Sequence, residues 1–481
     1  MDKIKIQALN EVYVKVDCPD HIDMELSEYF TFFVPGYKFM PSYKNKTWDG
    51  KIRLYKLRNK TIYKGLITEI QNFAQERGYE MVYEDDLDET NAYSLQEAND
   101  FFDGLGLPER FSKRDYQVES FAHCVRENRA LFVSPTGSGK SLMIYALLRY
   151  YNAKTLIIVD SLNLLLQMFS DFAEYGFDSD KYVHTISAGK DKVSDKPIIV
   201  STWQSAARMP REWFDQFDLV IGDECHKFKA KELTRIMESL QNCKLRFGFT
   251  GSLDGTYCNK LVLQGLFGSH RQIVTTKDLQ DQGTLAALEI KAITLDYPLE
   301  LKKVYCRAIY EEEISFLFNH PRRNAFLCNL ALSRKGNTML MFRRLEHGEI
   351  LYKYLKAKAK VPVYYVSGQV KGSERETVRQ IVNKHKDSIV VASTGVFSTG
   401  VNIPNIHNII AATPTKSQIL LLQSIGRGLR KTEEKSVCTF FDISDDLQYK
   451  SRINHTLKHY SERVKIYLAQ KFNYQLFRVK L

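Results

Sequence analysis

RALFVSPTGSGKSLMIYALL, residues 129–148, passes from an apolar run through a glycine-rich turn into a second apolar stretch. The first run suits a buried strand, and the second has the composition of a helix. Strand, glycine loop and helix in that order form a setting for phosphate. Gly137 and Gly139 let backbone N–H groups close on it at the positive end of the helix dipole. Pro135, Thr136 and Ser138 complete the turn. Lys140 can reach β- and γ-phosphates, and the Ser141 hydroxyl can ligate Mg²⁺. Ser134 stands where the strict pattern has glycine.

Working outward, short apolar runs recur at crossover spacing. KTLIIVD (154–160), KPIIVST (196–202), FDLVIGD (217–223) and KLRFGFTG (244–251) join RALFVS as five buried strands. Each is apolar on both faces, which predicts a parallel sheet covered by helices on both sides. The rhythm then repeats in NTMLMF (337–342), VPVYYVS (361–367), SIVVAST (388–394), HNIIAAT (407–413) and SVCTFFDI (436–443). Two similar α/β domains in tandem are expected, at 91–285 and 286–447, with a cleft between them.

One of these strands ends oddly. FDLVIGDECHKFK (217–229) stacks Asp223 and Glu224 at the close of an apolar run. A solvated loop would tolerate that, but a phosphate loop elsewhere in the domain offers a better reason. A neighbouring parallel strand would bring the acids opposite the loop, where a metal and a triphosphate neutralise them. Asp223 would then hold Mg²⁺ through its water shell, and Glu224 would polarise the water attacking the γ-phosphate.

The 481 residues exceed one ordinary core, and 44% hydrophobic with 26% charged residues is globular composition. The greasiest stretch, TLIIVDSLNLLLQMF (155–169), is broken by Asp160 and Asn163, so no membrane span is expected. The N-terminus MDKIKIQALNEVYVK lacks the apolar core of a signal peptide. Eight cysteines occur singly, without a CxxC pair, which argues for free thiols in a reducing compartment. A cytoplasmic location is expected. The net charge of +11 points to a polyanionic partner.

Charge concentrates ahead of the sheets. PGYKFMPSYKNKTWDGKIRLYKLRNKTIYK (35–64) places Lys44, Lys46, Lys51, Arg53 and Lys56 among aromatics that include Trp48, against one acid, Asp49. Cations can bind phosphates while rings stack on exposed bases. For any single ring, packing in a small α+β module is the stronger reading. The acidic run YEDDLDE (83–89) reads as a boundary, giving a basic nucleic-acid-binding module at 1–90. The tail at 448–481 has Glu462 as its sole acid and reads as a basic helical extension packed on the second domain.

SPTGSGKS, DECH (223–226), TGS (250–252) and QSIGRGLR (423–430), in that order, resemble superfamily 2 helicases and translocases of the DExH type. The similarity spans roughly residues 112–445, and with the basic N-terminal module it is strongest to recombination helicases of T-even phages. It implies two tandem RecA-like domains, ATP and Mg²⁺ as cofactors, and ATP-driven remodelling of branched DNA, with RNA–DNA hybrids among the substrates. Gln117 in FSKRDYQ would read adenine, and Thr250 and Ser252 would couple ATP state to domain closure. Thr202 in STWQS and Thr394 in STGVFSTGVNIPN would contact nucleic acid, and Gly400 would lie at the nucleotide. Asn402 departs from the aspartate of many relatives.

QSIGRGLR also makes sense unaided. On a helix, Arg427 and Arg430 are i, i+3 and Gln423 is i, i+4 to Arg427, so all three share a face. Two arginines there could stabilise transition-state charge on the γ-phosphate. His226 would relay γ-phosphate state to this helix through Gln423. An RNA helicase with the same motor remains an alternative, as does a nucleic-acid-binding scaffold with an inactive motor. Intact Lys140, Glu224, Arg427 and Arg430 argue against the scaffold.

Overall fold

The protein is described by a computed structural model over residues 2–34, 36–84, 87, 91–135, 137–187, 194–227, 230–251, 253, 257–370, 372–394, 405–413 and 437–481. It divides into two compact units. Residues 1–134 and 139–274 form one, and residues 275–481 with 135–138 form the other.

The first unit opens with alternating strands. In β1 (Lys3–Ala8) Ile4 and Ile6 turn inward, and in β2 (Tyr13–Asp17) Val14 and Val16 do the same. β1 pairs antiparallel with β2 and parallel with β6 (Glu80–Glu84), while β2 pairs antiparallel with β5 (Thr61–Tyr63). β3 (Thr31–Phe33) and β4 (Lys51–Arg53) form a separate antiparallel pair. Helices Asp20–Tyr29 and Ile67–Arg77 contribute Ile22, Leu26, Ile70 and Phe73 to the core beneath the sheet. This is the small α+β module that the sequence predicts.

Its independence is a different matter. The apolar core of residues 4–74 is continuous with that of the following α/β sheet: Ile62 and Leu66 belong to the same cluster as Leu263, Leu266 and Phe267. Gly65 lies so close to helix Tyr257–Phe267 that a Cβ there would fall 2.2 Å from the Gln264 carbonyl oxygen. The core residues between Ile4 and Ala74 are therefore packed into one cluster with the first α/β sheet.

The α/β sheet follows. β7 (Arg129–Val133), β8 (Thr155–Val159), β10 (Ile198–Thr202), β11 (Leu219–Asp223) and β12 (Leu245–Thr250) are the five strands read from the apolar runs. β9 (Val183–Ile186) and the exposed β13 (His270–Gln272) add to them. The order is β13-β7-β12-β11-β8-β10-β9, all parallel. One detail corrects the sequence reading: the acid-bearing β11 is not next to β7, because β12 lies between them.

The second unit carries its own parallel sheet. β15 (Thr338–Phe342), β16 (Val363–Val366), β17 (Ile389–Ser393), β18 (Asn408–Ala411) and β19 (Val437–Asp446) match the second set of apolar runs. They are joined by β14 (Ala287–Asp296) and β20 (Tyr474–Lys480) in the order β16-β17-β15-β18-β19-β14-β20. The tail is thus more than a helical extension. Helix His455–Ala469 leads into β20, which pairs in parallel with β14 as the outer strand of the sheet. Arg463 of that helix is buried against Asp442 at 2.8 Å, and Glu313 accepts the backbone N–H groups of His455 and Thr456 at 2.8 and 2.9 Å. One of the tail's cationic side chains, Arg463, is thus neutralised within the fold. Among the described residues no helix is long and apolar enough to cross a membrane.

Candidate active site and nucleic-acid interface

Parallel strands leave their C-terminal ends on one edge, and the predicted chemistry gathers there. In register, Val133 of β7 faces Thr250 of β12, and Phe249 of β12 faces Asp223 of β11. The turn after β7 needs its glycines: Gly137 and Gly139 have φ of +87° and +80°. A Cβ at Gly139 would also fall 2.3 Å from the Gln117 amide nitrogen. Helix Lys140–Tyr151 then starts without a side-chain cap, leaving its first N–H groups to a ligand. Ser134 is buried and its N–H bonds to the Thr250 carbonyl at 2.8 Å, which ties the loop to the central strand. Ser138 donates its hydroxyl to the Pro135 carbonyl at 2.8 Å.

The Lys140 ammonium sits 3.1 Å from the Ser134 carbonyl oxygen and 3.7 Å from Glu224. Glu224 accepts the Gly251 N–H at 3.3 Å and donates its own N–H to Asp223 at 3.0 Å. Its φ of +51° is a left-handed value that a glutamate adopts only against strain. The His226 ring, 3.5 Å from Glu224, hydrogen-bonds the Thr250 hydroxyl. Lysine, acids, histidine and threonine therefore form one connected cluster. Cys225 between them is buried, and burial followed by the adjacent carboxylates pushes its thiol well above the ordinary range. It stays protonated and is no nucleophile.

Gln117 is buried. Its carbonyl accepts the Arg114 N–H at 3.0 Å and its amide reaches the Gly139 carbonyl at 3.4 Å, so it holds the end of the phosphate loop. Tyr175 was not singled out by its sequence. Burial, followed by the Asp171 carboxylate, raises its phenol, and the neighbouring Ser141 hydroxyl opposes the rise. A tyrosine in a helix-length segment carries no signal of that proximity. Asp223 and Ser141 offer the oxygen donors that a Mg²⁺–phosphate complex takes, and the buried acid lies at the strand end where such charge would be compensated.

Thr202 closes β10, buried, with its hydroxyl 3.1 Å from that of Ser205. Thr394 directly follows β17 and is half-buried. Thr136, Ser252, Gly400, Asn402, Gln423, Arg427 and Arg430 lie outside the described residues.

In the basic strip, Lys44 and Lys46 are exposed. The Lys51 ammonium lies 5.0 Å from the Phe33 ring centroid, and the exposed Lys56 bonds the Tyr13 hydroxyl at 2.8 Å. Arg53 is paired with Asp49, whose carboxyl its hydrogen bond holds down to about 2. Its charge is therefore less available than the sequence implies. Trp48 is half-buried, donating its indole N–H to the Lys51 carbonyl at 2.9 Å. Tyr55 belongs to the core, where its hydroxyl bonds Asp23. The ring that sequence reasoning passed over is Phe39, 81% exposed on a one-turn helix among lysines.

Two parallel-sheet domains, the first with a glycine phosphate loop facing an Asp-Glu-Cys-His strand end, define a superfamily 2 helicase. Comparison with known proteins agrees along the chain. Residues 110–254 match the family described as type III restriction enzyme, res subunit, and residues 322–432 match the helicase conserved C-terminal domain. Residues 3–84 match the N-terminal domain of DNA helicase UvsW. The ATP-dependent DNA helicase uvsW of Enterobacteria phage T4 is 33% identical over 502 aligned residues, covering 99% of this chain and 100% of that one. The crystal structure of T4 UvsW superposes with a TM-score of 0.53 at 31% identity, covering 99% of both chains. The DNA 3'-5' translocase XPB2 of Sulfurisphaera tokodaii is 26% identical over 70% of this chain and 83% of its own. The chain belongs to the UvsW family of superfamily 2 helicases.

Proposed function

We propose that the protein is an ATP-dependent DNA helicase that remodels branched DNA (forks, Holliday junctions and R-loops) in recombination, repair and replication. The observation that carries the ATPase reading is the joining of Lys140, Glu224, His226 and Thr250 at one sheet edge. Lys140 leaves its carbonyl and carboxylate partners to meet the β- and γ-phosphates. Glu224 is then released to orient water for in-line attack. Asp223 and Ser141 would hold Mg²⁺, which supplies charge neutralisation on the phosphates when bound. Arg427 and Arg430 are the proposed source of positive charge at the γ-phosphate in the transition state, with Gln423 and His226 reporting its presence. Gln117 and the loop residues Pro135 to Ser141, with Gly400, are the proposed nucleotide contacts. Thr250 and Ser252 couple its state to the rest of the motor.

DNA as substrate is supported by the full-length similarity to the T4 helicase. Thr202, Thr394, Lys44, Lys46, Trp48, Lys51, Arg53 and Lys56 are the proposed contacts, and the host cytoplasm is the proposed location. The domains are proposed as a first motor domain to residue 285 that incorporates 1–90, and a second from 286 that incorporates 448–481. The test is an ATPase titration with single-stranded, duplex, forked and four-way DNA, with single-stranded RNA and an RNA–DNA hybrid alongside. Greater stimulation by forked or four-way DNA supports the reading. Equal stimulation by single-stranded RNA overturns the DNA preference.

A further inference from the structure

The N-terminal module grips the motor through an uninterrupted polar line. The Glu238 carboxylate accepts the hydroxyls of Tyr13 and Tyr63, the latter at 2.8 Å. The two rings stack at 5.2 Å and 18°, which fixes both hydroxyls on the same oxygen. Tyr13 in turn accepts the Lys56 ammonium at 2.8 Å, with that nitrogen 4.2 Å from the ring centroid. Lys56 is exposed in the basic strip, whereas Glu238 lies near the end of helix Ala230–Ser239, which follows the DECH box. Leu233, Ile236 and Met237 of this helix are buried in the core shared with the module. Just beyond it, the Gln241 carbonyl accepts the Glu11 N–H at 2.9 Å.

We infer that the Lys56–Tyr13–Glu238 line couples occupancy of the basic strip to the ATP site, making Glu238 a positioning residue for DNA-stimulated ATP hydrolysis. A DNA phosphate offers the Lys56 ammonium a charge-assisted bond stronger than the neutral Tyr13 oxygen provides. When the ammonium turns to phosphate, the Tyr13 hydroxyl loses the donor that polarises it, and its own bond to Glu238 weakens. The helix behind the acids is then held differently in the two states, and the change travels along a rigid rod packed in one core. This rests on the reading that the strip contacts nucleic acid.

The experiment measures the ratio of ATP turnover with and without a forked DNA duplex, together with fork affinity and thermal melting. Tyr13→Phe keeps the ring stack and removes the hydroxyl link, and Glu238→Ala removes the shared acceptor. Both should lower the ratio about fivefold or more, a coupling loss of ordinary size, at unchanged fork affinity. Glu238→Gln retains an acceptor oxygen and should restore much of the ratio. An unchanged ratio in Tyr13→Phe overturns the inference, even where Glu238→Ala fails to fold. Lys44→Glu with Lys46→Glu tests the underlying reading separately. Undiminished fork affinity there rejects the strip as a DNA surface, and the inference with it. Diminished affinity beside an unchanged Tyr13→Phe ratio rejects only the coupling.

Discussion

Lys140 and Glu224 face each other at 3.7 Å, each largely withdrawn from solvent. The two charges, proposed above to serve phosphate and water, thus neutralise one another across the sheet edge. The pair explains how both charges can wait at a buried strand end, since an unpaired charge there would be costly. It also predicts what each substitution leaves behind.

Lys140→Ala should abolish ATP hydrolysis and weaken nucleotide binding, because the loop loses its reach to the phosphates. Glu224→Gln should still bind Mg·ATP but turn over about 10²–10⁴-fold more slowly, the range for a lost general base. Nucleotide-binding fluorescence beside steady-state turnover separates the two effects. Full activity in Glu224→Gln would remove the acid from the chemistry.

Arg427→Ala should preserve ATP affinity while lowering turnover about a thousandfold or more, as for a lost arginine finger. Single-turnover hydrolysis with saturating ATP is the measurement. A collapse of affinity with normal turnover of the bound fraction would place Arg427 in ground-state binding instead.

Deleting residues 1–90 should not yield a well-folded motor. Leu263, Leu266 and Phe267 would lose the core they share with Ile62 and Leu66. The point substitution Leu66→Ala should cost about 2–5 kcal/mol, as large-to-small changes in packed cores do. Thermal melting of both proteins checks this. A fragment that melts like the full chain would show that the cores are separable after all.

The strands show where sequence legibility ends. β7 and β11 were readable because both faces are buried, so the apolar run announces itself without a partner. β20 was not, since YQLFRVK is largely exposed and is a strand only through its ladder to β14. The placement of β12 between the loop strand and the acid strand is likewise a pairing fact. The phosphate loop and DECH box were legible as local chemistry. The Tyr13–Glu238 bond joins residues 225 positions apart, and no periodicity records a hydroxyl meeting a distant carboxylate. Arg53 misled for a related reason: its charge counts in composition although Asp49 already holds it.

The module's attachment should be acid-sensitive. Burial pushes Glu11 up, but Arg129 at 2.7 Å and Lys64 at 3.0 Å outweigh it and hold the carboxyl below its ordinary 4.5. A depressed carboxylate stabilises the fold above the unfolded-state value and loses that contribution as pH falls through the folded one. Melting temperature should therefore drop below about pH 4.5 in part through Glu11. Glu11→Gln should cost about 1.5–3 kcal/mol at pH 7, the range for a hydrogen bond to a charged group, and should flatten the acid limb. An identical pH–melting profile in this variant would assign the acid limb to other carboxylates.

Phe39 and Tyr55 should respond in opposite ways. Phe39 is 81% exposed beside Lys38, so Phe39→Ala removes almost no buried surface and should leave the melting temperature unchanged. If its ring stacks on a base, single-strand affinity should fall by about 1–3 kcal/mol, the usual worth of one such contact. The salt dependence should stay as it was, because no phosphate contact is lost. Tyr55 is 1% exposed and donates its hydroxyl to Asp23, which also pairs with Lys60. Tyr55→Ala should therefore cost about 3–5 kcal/mol, as other aromatic truncations in cores do. Tyr55→Phe leaves Asp23 one donor short and should cost less. Lys51→Ala and Lys56→Ala should each reduce the log affinity against log salt slope by about 0.9 on duplex DNA. Arg53→Ala should reduce it less, since that guanidinium must first leave Asp49. Salt titrations of the Phe39, Lys51, Lys56 and Arg53 variants, with melting curves of the Phe39 and Tyr55 variants, decide the assignment. A Phe39→Ala protein with full single-strand affinity, or a Tyr55→Ala protein with normal melting, would reverse the roles of the two rings.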